Sequence, residues 1–486
     1  MSECKFLFVA ALCFGMSVSA ASATVVISNG PTANMSCASG VCSPTAKKAV
    51  LNVGDLMGML ASGDVVVQSG AQAQDIEIKA KFRWKSAHGL TLDAYRSLVV
   101  ESPVLVVGPG ALTINTDDGG VGGDYRFFQK GAITFRDTSN SLTINGTQFV
   151  LVQSIEDIAT IVNQGSSSPP NLALAGNYNA ADNGIYTSAP IPKYSAPIGT
   201  NATFEGLGNT ISNFAIDGNE QETGLIGDVS SQVVIRDLNV TSVNINAHNG
   251  VIRAGVFAQM ETNSTVKYCH VTGAISSSAP NLMVGGLVGL SLGTISGSDA
   301  NVTVSTGRNG YGGGLVGGST YKIDNSFASG SVAGGSQSQL GGLAGFIESS
   351  PGSDLENVYA TGAVTGDSGA AVGGLLGRQQ GVTAFPILNN SYSVGAVSAP
   401  RKSPVGGLIG EDFGPSTNTN CYWDLDTSGV SDPSDGAGNR KDDPGITGLS
   451  TAQLKSSLPA GFDKKIWAEN ANINNGYPYL LSNPPR

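Results

Sequence analysis

Apolar positions along this chain follow two rhythms. Over residues 24–150 they come in short alternating runs. Leu90-Thr91-Leu92, Leu112-Thr113-Ile114 and Leu142-Thr143-Ile144 are each bounded by Gly, Ala, Ser or polar residues, and Val65-Val66-Val67, Ile76-Glu77-Ile78 and Val104-Leu105-Val106-Val107 add to the set. Alternation with period two puts every second side chain on one face, so these runs predict short, half-buried strands joined by turns. Val53 to Leu60 predicts a short helix capping the start of this block. From residue 223 the rhythm lengthens. Gly285-Gly286-Leu287-Val288-Gly289 returns as Gly313-Gly314-Leu315-Val316-Gly317, Gly341-Gly342-Leu343-Ala344-Gly345, Gly373-Gly374-Leu375-Leu376-Gly377 and Gly406-Gly407-Leu408-Ile409-Gly410. Looser copies stand at Gly224-Leu225-Ile226-Gly227 and Ala254-Gly255-Val256-Phe257. The residue before the apolar pair falls at 224, 255, 286, 314, 342, 374 and 407, at intervals of 31, 31, 28, 28, 32 and 33. A period of this size marks a stacked array.

Each period has a second recognisable half. Asn325-Ser326-Phe327-Ala328-Ser329-Gly330-Ser331-Val332 matches Asn357-Val358-Tyr359-Ala360-Thr361-Gly362-Ala363-Val364 and Asn390-Ser391-Tyr392-Ser393-Val394-Gly395-Ala396-Val397, and Tyr268 to Ile275 is a drifted copy. With a middle strand such as Gly293-Thr294-Ile295-Ser296, one period holds three short strands. That predicts an all-β fold, a right-handed parallel β-helix (β-solenoid) with short capping helices. Rungs stack ~4.8 Å apart and share a narrow apolar core. One rung cannot bury its apolar face alone, so the repeats must stack. Glycines serve positive φ or close backbone approach at the corners. The recurrent Asn is expected to form a side-chain ladder from rung to rung.

The organisation read from these patterns is a β-rich block at 24–150, a junction at 151–222, the repeat array at 223–424 and a C-terminal cap at 425–486. In the junction, Ser154-Ile155-Glu156-Asp157 has the form of a capping box, Ile158, Ile161 and Val162 share a face, and Ser166-Ser167-Ser168-Pro169-Pro170 breaks the helix. In the cap, Ser450-Thr451-Ala452-Gln453 is a second capping box, with Leu449 and Leu454 at staple positions. Trp467, Tyr477 and Tyr479 supply apolar area expected to close the open end of the core.

Composition agrees with many short strands. The 486 residues include 66 Gly and only 13% charged residues, about half the usual share, which leaves little for long helices with charged outer faces. A net charge of −11 disfavours nucleic acid and anionic lipid as partners. The N-terminus has the form of a secretory signal, residues 1–23. Lys5 precedes an apolar run from Phe6 to Val18, and Ala21-Ser22-Ala23 is a small-residue cleavage site, placing the mature start near Thr24. The run is shorter than the ~20 residues a spanning helix needs, and no later stretch is long enough to span. Export allows Cys37 and Cys42 to close a small disulfide loop. Cys269 and Cys421 lie in different repeats and are expected as buried small apolar residues.

Candidate chemistry is sparse. Gly312-Gly313-Gly314-Leu315-Val316-Gly317 satisfies a dinucleotide-binding pattern but is one copy of the repeat, with no helix behind it. Asp424-Leu425-Asp426-Thr427-Ser428-Gly429, with Asp432 and Asp435 further on, resembles the start of a Ca²⁺ loop and makes a weak metal candidate against a solvated acidic turn. His88, His248 and His270 are scattered, and no zinc, P-loop or nucleophile-elbow motif is present. β-Helical polysaccharide lyases and hydrolases need acids grouped on consecutive rungs. Of Asp299, Asp324, Glu348, Asp354, Glu356 and Asp367, only Asp324 and Glu356 share a repeat phase.

The repeat unit, Gly-Gly-Leu-Val-Gly followed by Asn-Ser-Phe/Tyr-Ala-Ser/Thr-Gly-x-Val, resembles the GLUG repeat of large bacterial exoproteins similar to filamentous haemagglutinin. Asn420-Cys421-Tyr422-Trp423-Asp424 and the segment Gly448 to Leu480 are similar to the ends of such arrays, and Gly89 to Gly131 resembles haemagglutinin-like β-rich stretches. The resemblance implies an exported, adhesin-like protein, secreted or on the outer surface, with the periplasm as the other compartment. It would bind a host or abiotic surface, a glycan or a matrix protein through an extended solenoid face. It carries over no catalytic residue and no cofactor. The competing expectations are a β-helical polysaccharide lyase or hydrolase using Asp324 and Glu356, and a passive spacer.

Overall fold

The computed structural model describes residues 23–163, 171–196, 200–248, 250–349, 353–381, 386–414 and 417–486. The signal segment up to Ser22 and the expected helix breaker Ser166 to Pro170 lie outside the described residues.

The alternating block winds into a first parallel coil. Asp75–Ile78, Leu98–Val100 and Tyr125–Phe127 stack as one wall, Phe82–Trp84, Val104–Val106 and Ile133–Phe135 as a second, and Leu90–Asp93, Leu112–Asn115 and Leu142–Ile144 as the third. The two outer residues of each Leu-Thr-Leu/Ile triplet are buried and the Thr between them is half-exposed, as the period-two pattern requires. The helix α1, Val53–Leu60, closes the start of this core with Val53, Leu56 and Leu60. Its first amides are satisfied by the Asn52 side chain. Cys37 and Cys42 face each other across the hairpin Met35–Ala38/Val41–Pro44 and are bridged.

The strand Thr147–Val152 then reverses direction. It pairs antiparallel with Leu142–Ile144 and parallel with Leu172–Leu174, which pairs onward to Ala202–Glu205 and Val233–Arg236. A single sheet therefore runs from the first coil into a second. Phe149 and Leu151 point into the first core, whereas Val152, Leu172 and Leu174 point into the second, on the opposite side of the sheet. Strand direction and core side invert together, so both coils keep the same right-handed winding that parallel crossovers favour. The segment 151–222, expected as a junction, is itself coil: strands at Leu172–Leu174, Ile191–Tyr194 and Ala202–Glu205 are rungs without the glycine signature. The helix α2, Ile155–Asn163, opens this coil with Ile155 and Ile158 buried, and Ser154 and Asp157 cap each other reciprocally.

In the second coil the recurrent glycine motif is not one strand, as expected from the sequence, but a corner between two. Met283–Gly285 ends one strand and Val288–Ser291 begins the next, with Leu287 buried at the bend. Close approach, not positive φ, selects these glycines. A Cβ on Gly342 would sit 2.3 Å from the carbonyl oxygen of Gly374 in the next rung, and one on Gly341 would sit 2.1 Å from Ala344 O. Positive φ belongs to the Asn corner on the opposite wall, where Asn325, Asn357, Asn390 and Asn420 have φ of 47°, 55°, 48° and 54°. Asn tolerates this region at lower cost than most residues. The expected Asn ladder has one direct link in the described residues, Asn420 Nδ2 donating to Asn390 Oδ1 at 3.0 Å. Asn357 instead accepts from Trp467 Nε1 at 3.1 Å, and Asn325 donates to Asp324 at 3.1 Å.

The C-terminal segment divides in two. Residues 425–449 complete the coil: Ile446–Leu449 pairs with Thr417–Asp424, and Trp423 and Ala437 lie in the second core. Residues 450–486 run back along the flank as a strap, beginning with the helix α3, Thr451–Leu454, and its Ser450/Gln453 capping box. Trp467 and Tyr477 thus cover the side of the coil, with Phe327, Tyr359, Tyr392 and Tyr422, and do not plug its end as expected.

Candidate functional site

At the glycine corner, one register position just past each motif copy falls on the outer side of one wall. Asp228, Gln259, Leu290, Gly318, Phe346, Arg378 and Glu411 stand side by side on successive rungs. Across the corner, Arg253, Met283, Tyr311 and Gln339 form a second column. The first column is polar towards its ends and apolar in the middle, and the second places Met283 and Tyr311 between Arg253 and Gln339 before continuing to Ala371. Gly318 makes a floor under Met283 and Leu290: a Cβ there would be 3.2 Å from Met283 Sδ and 3.5 Å from Leu290 Cδ1. Tyr311 and Phe346 meet edge to face at 5.7 Å. Arg378 lies 4.7 Å above the ring of Phe413, which is 41% exposed. The core lies on the other side of this wall, so these apolar groups serve no interior packing.

A second outward column holds larger aromatics but is covered. Phe327, Tyr359 and Tyr392 stack at 4.7 and 5.1 Å with nearly parallel rings, and the strap lays Leu454, Phe462, Trp467, Tyr477 and Leu480 over them. Polar fastenings hold it there. Tyr477 Oη and Thr451 Oγ1 each donate to Asp424 Oδ2 at 2.7 Å, Thr451 N donates to Asp426 at 2.8 Å, and Tyr392 Oη donates to Pro478 O at 2.5 Å.

Where the two coils meet, ionisable side chains are buried together. Ala173, Ala175 and Leu207, on the outside of the second coil, close the last turn of the first core. Beside them Arg236 contacts Asp237 at 2.7 Å, Asp124 at 2.8 Å and Glu205 at 3.4 Å, and its guanidinium lies 3.6 Å from the Tyr125 ring centre. Lys267 reaches Asp124 at 2.7 Å, and Tyr125 Oη donates to Glu205 at 2.8 Å. Three carboxyls thus face two cations, so charge balance leaves one proton among the acids. Burial lifts Glu205 to about 8, with Asp237 adding to it, and raises Asp237 as well, so the proton belongs to this buried pair. Burial pushes Asp124 upward too, but Arg236 and Lys267 outweigh it and keep Asp124 below its ordinary value. The cluster joins the coils, with Glu205, Arg236 and Asp237 buried and Asp124 and Lys267 half-buried at its edge.

The residues singled out in the sequence have structural employment. Asp424 and Asp426 fasten the strap, whereas Asp432 and Asp435 contact Lys441 at 2.8 and 2.5 Å, so the four do not converge on a cation. Among the described residues, no group of three or more His, Cys, Asp or Glu side chains could hold a metal ion. Asp324 and Glu356 are register neighbours on adjacent rungs, but Asp324 is engaged by Lys322 at 3.0 Å and by Ser296. The three histidines pair separately, His88 with Asp64, His248 with Asp217 and His270 with Asp299. Cys269 and Cys421 are buried thiols, and burial pushes Cys421 up to about 12, which removes thiolate reactivity. The corner face was missed at the sequence level, although its signal was present. The residue after each glycine motif changes from copy to copy while the motif stays fixed.

No family model matches the chain, and no curated protein matches it. Among solved structures, the chain is similar to a Bacteroides ovatus protein named as a candidate immunoglobulin A1 protease, at 16% identity and a TM-score of 0.42. That alignment covers 69% of this chain and 92% of the other.

Proposed function

We propose that this chain is an exported, non-catalytic binding protein of adhesin type, engaging a glycan or matrix protein on another surface through the glycine-corner face of its second coil. The observation that carries this reading is the half-buried apolar patch of Met283, Leu290, Tyr311 and Phe346 on the outer side of a wall whose core side is already filled. Contiguous exposed apolar area rimmed by polar residues marks interaction sites, and Asp228, Gln259, Arg378 and Glu411 supply such a rim. A rigid stacked wall also presents its contacts without ordering cost on binding. No helix among the described residues is long and apolar enough to cross a membrane. The test is an array of glycans and matrix proteins probed with the full chain and with the double substitution Tyr311→Ala/Phe346→Ala. Binding to at least one class, lost in the double variant, supports the reading. Binding to none, or binding that survives the double substitution, removes this face from the function.

A further inference from the structure

A separate cleft of about 380 Å³ lies where the last turn of the first coil meets the flank of the second, with the end of the strap, Ile473 and Ser482 to Arg486, forming its remaining wall. A neighbouring chamber of about 350 Å³ shares Gln129, Lys130 and Arg486 with it, so the two form one groove. Each chamber falls in the size range of ligand pockets, ~300–1,000 Å³. The first chamber has aromatic walls. Tyr268 lies flat along the coil over Gly297, whose Cβ would sit 2.6 Å from the ring, and Phe128 stands on the first-coil side. It also has spare positive charge. Arg126 lies 5.1 Å from the Phe128 ring centre and Lys130 is exposed, and neither has an ion pair among the described residues. Arg486 Nη1 donates to Asn239 at 2.5 Å and adds a third cation. The carboxylate lining this chamber, Asp299, is only 3% exposed and is bonded to His270 at 2.5 Å. The second chamber is lined by amides and hydroxyls, including Asn177, Thr210 and Thr241.

We infer that this groove binds a carboxylated oligosaccharide. Sugar rings present C–H faces that pack on Tyr268 and Phe128. Their hydroxyls match amide and hydroxyl side chains, which both donate and accept, and their carboxylates suit Arg126 and Lys130. An acidic protein with a net charge of −11 that keeps unpaired cations inside one groove has concentrated attraction for an anion there. The groove is distinct from the corner face, and the inference does not depend on that face binding anything.

The experiment is calorimetric titration of the full chain with an oligogalacturonate and with its carboxyl-reduced, neutral counterpart. The acid is expected to bind, the neutral oligomer at least about tenfold more weakly, and added salt should weaken the acid selectively. Arg126→Ala and Lys130→Ala should each weaken binding about fivefold or more, whereas the remote Lys81→Ala should not. Absence of binding, equal binding of the neutral oligomer, or no change in Arg126→Ala and Lys130→Ala would overturn the inference. Loss of binding in Tyr311→Ala/Phe346→Ala but not in Arg126→Ala would overturn the groove and leave the corner face standing. The opposite pattern would support the groove and leave the corner face to its own test.

Discussion

The two coils solve the same packing problem with different sequences. The first uses Leu-Thr-Leu/Ile triplets whose alternation alone defines inside and outside, and its corners carry no common motif. Glycines in both coils stand where a neighbouring rung's carbonyl takes the place of a side chain, Gly123 and Gly131 in the first and Gly314 and Gly342 in the second, but only in the second does such a glycine recur within a fixed motif. Its outer walls carry two organised columns, one open at the corner and one aromatic column covered by the strap. Repetition at fixed spacing brings equivalent positions into columns, so a chain that varies one position per repeat writes a continuous surface. That is why the binding face is assigned to the second coil.

The largest expected effect falls on the corner. Gly342→Ala should destabilise the second coil by upward of about 4 kcal/mol, because a fixed backbone carbonyl blocks the methyl. Denaturant unfolding should then show the first coil melting separately, and a single unshifted transition would contradict the corner geometry. Trp467→Ala should cost about 3–5 kcal/mol of strap stability, read as rapid proteolysis within 450–486 with the coils intact. Resistance equal to the parent would mean that the strap is held chiefly by its polar fastenings.

The joint between the coils should respond to pH. Folding raises Glu205 to about 8 from an unfolded value of ~4.3, so the folded protein keeps a proton that the unfolded chain releases. This stability is complete below the unfolded value and is lost as pH rises through about 8. The melting temperature should therefore fall from about pH 5 to about pH 8, level off above it, and fall less in Glu205→Gln. A flat profile in the parent chain would show that Glu205 is already ionised in the joint. The smallest effect belongs to the Asn corner: Asn325→Ala should cost roughly 1–2 kcal/mol and Asn325→Gly less, since glycine restores the φ but not the hydrogen bond to Asp324.

Much of this architecture is written in local patterns. α1 over Val53–Leu60, the Ser450/Gln453 box and the stacked rungs all follow from spacing and capping chemistry. What escapes is set by contacts distant in sequence. Nothing near Trp467 says that it faces Asn357, 110 residues away, in place of the coil's open end. Nothing near Thr147 says that its strand inverts the core side, because Phe149, Leu151 and Val152 are all apolar. The rungs at 172–205 were hidden for a related reason, since Leu172–Leu174, Ile191–Tyr194 and Ala202–Glu205 lack the glycine motif that marks the later ones. The corner face was readable only from the residue that follows each repeat, and the Ca²⁺-like acids misled because Lys441 and the strap hydroxyls, not a cation, are their partners.

The most direct test of the second coil as the binding element is hydrogen–deuterium exchange with a ligand taken from the glycan and matrix array. With a ligand whose binding is lost in Tyr311→Ala/Phe346→Ala, slowed exchange is expected in 283–291, 311–319 and 339–348, with the first coil from 24 to 144 unchanged. Slowed exchange confined to the first coil, with those segments unaffected, would contradict the assignment.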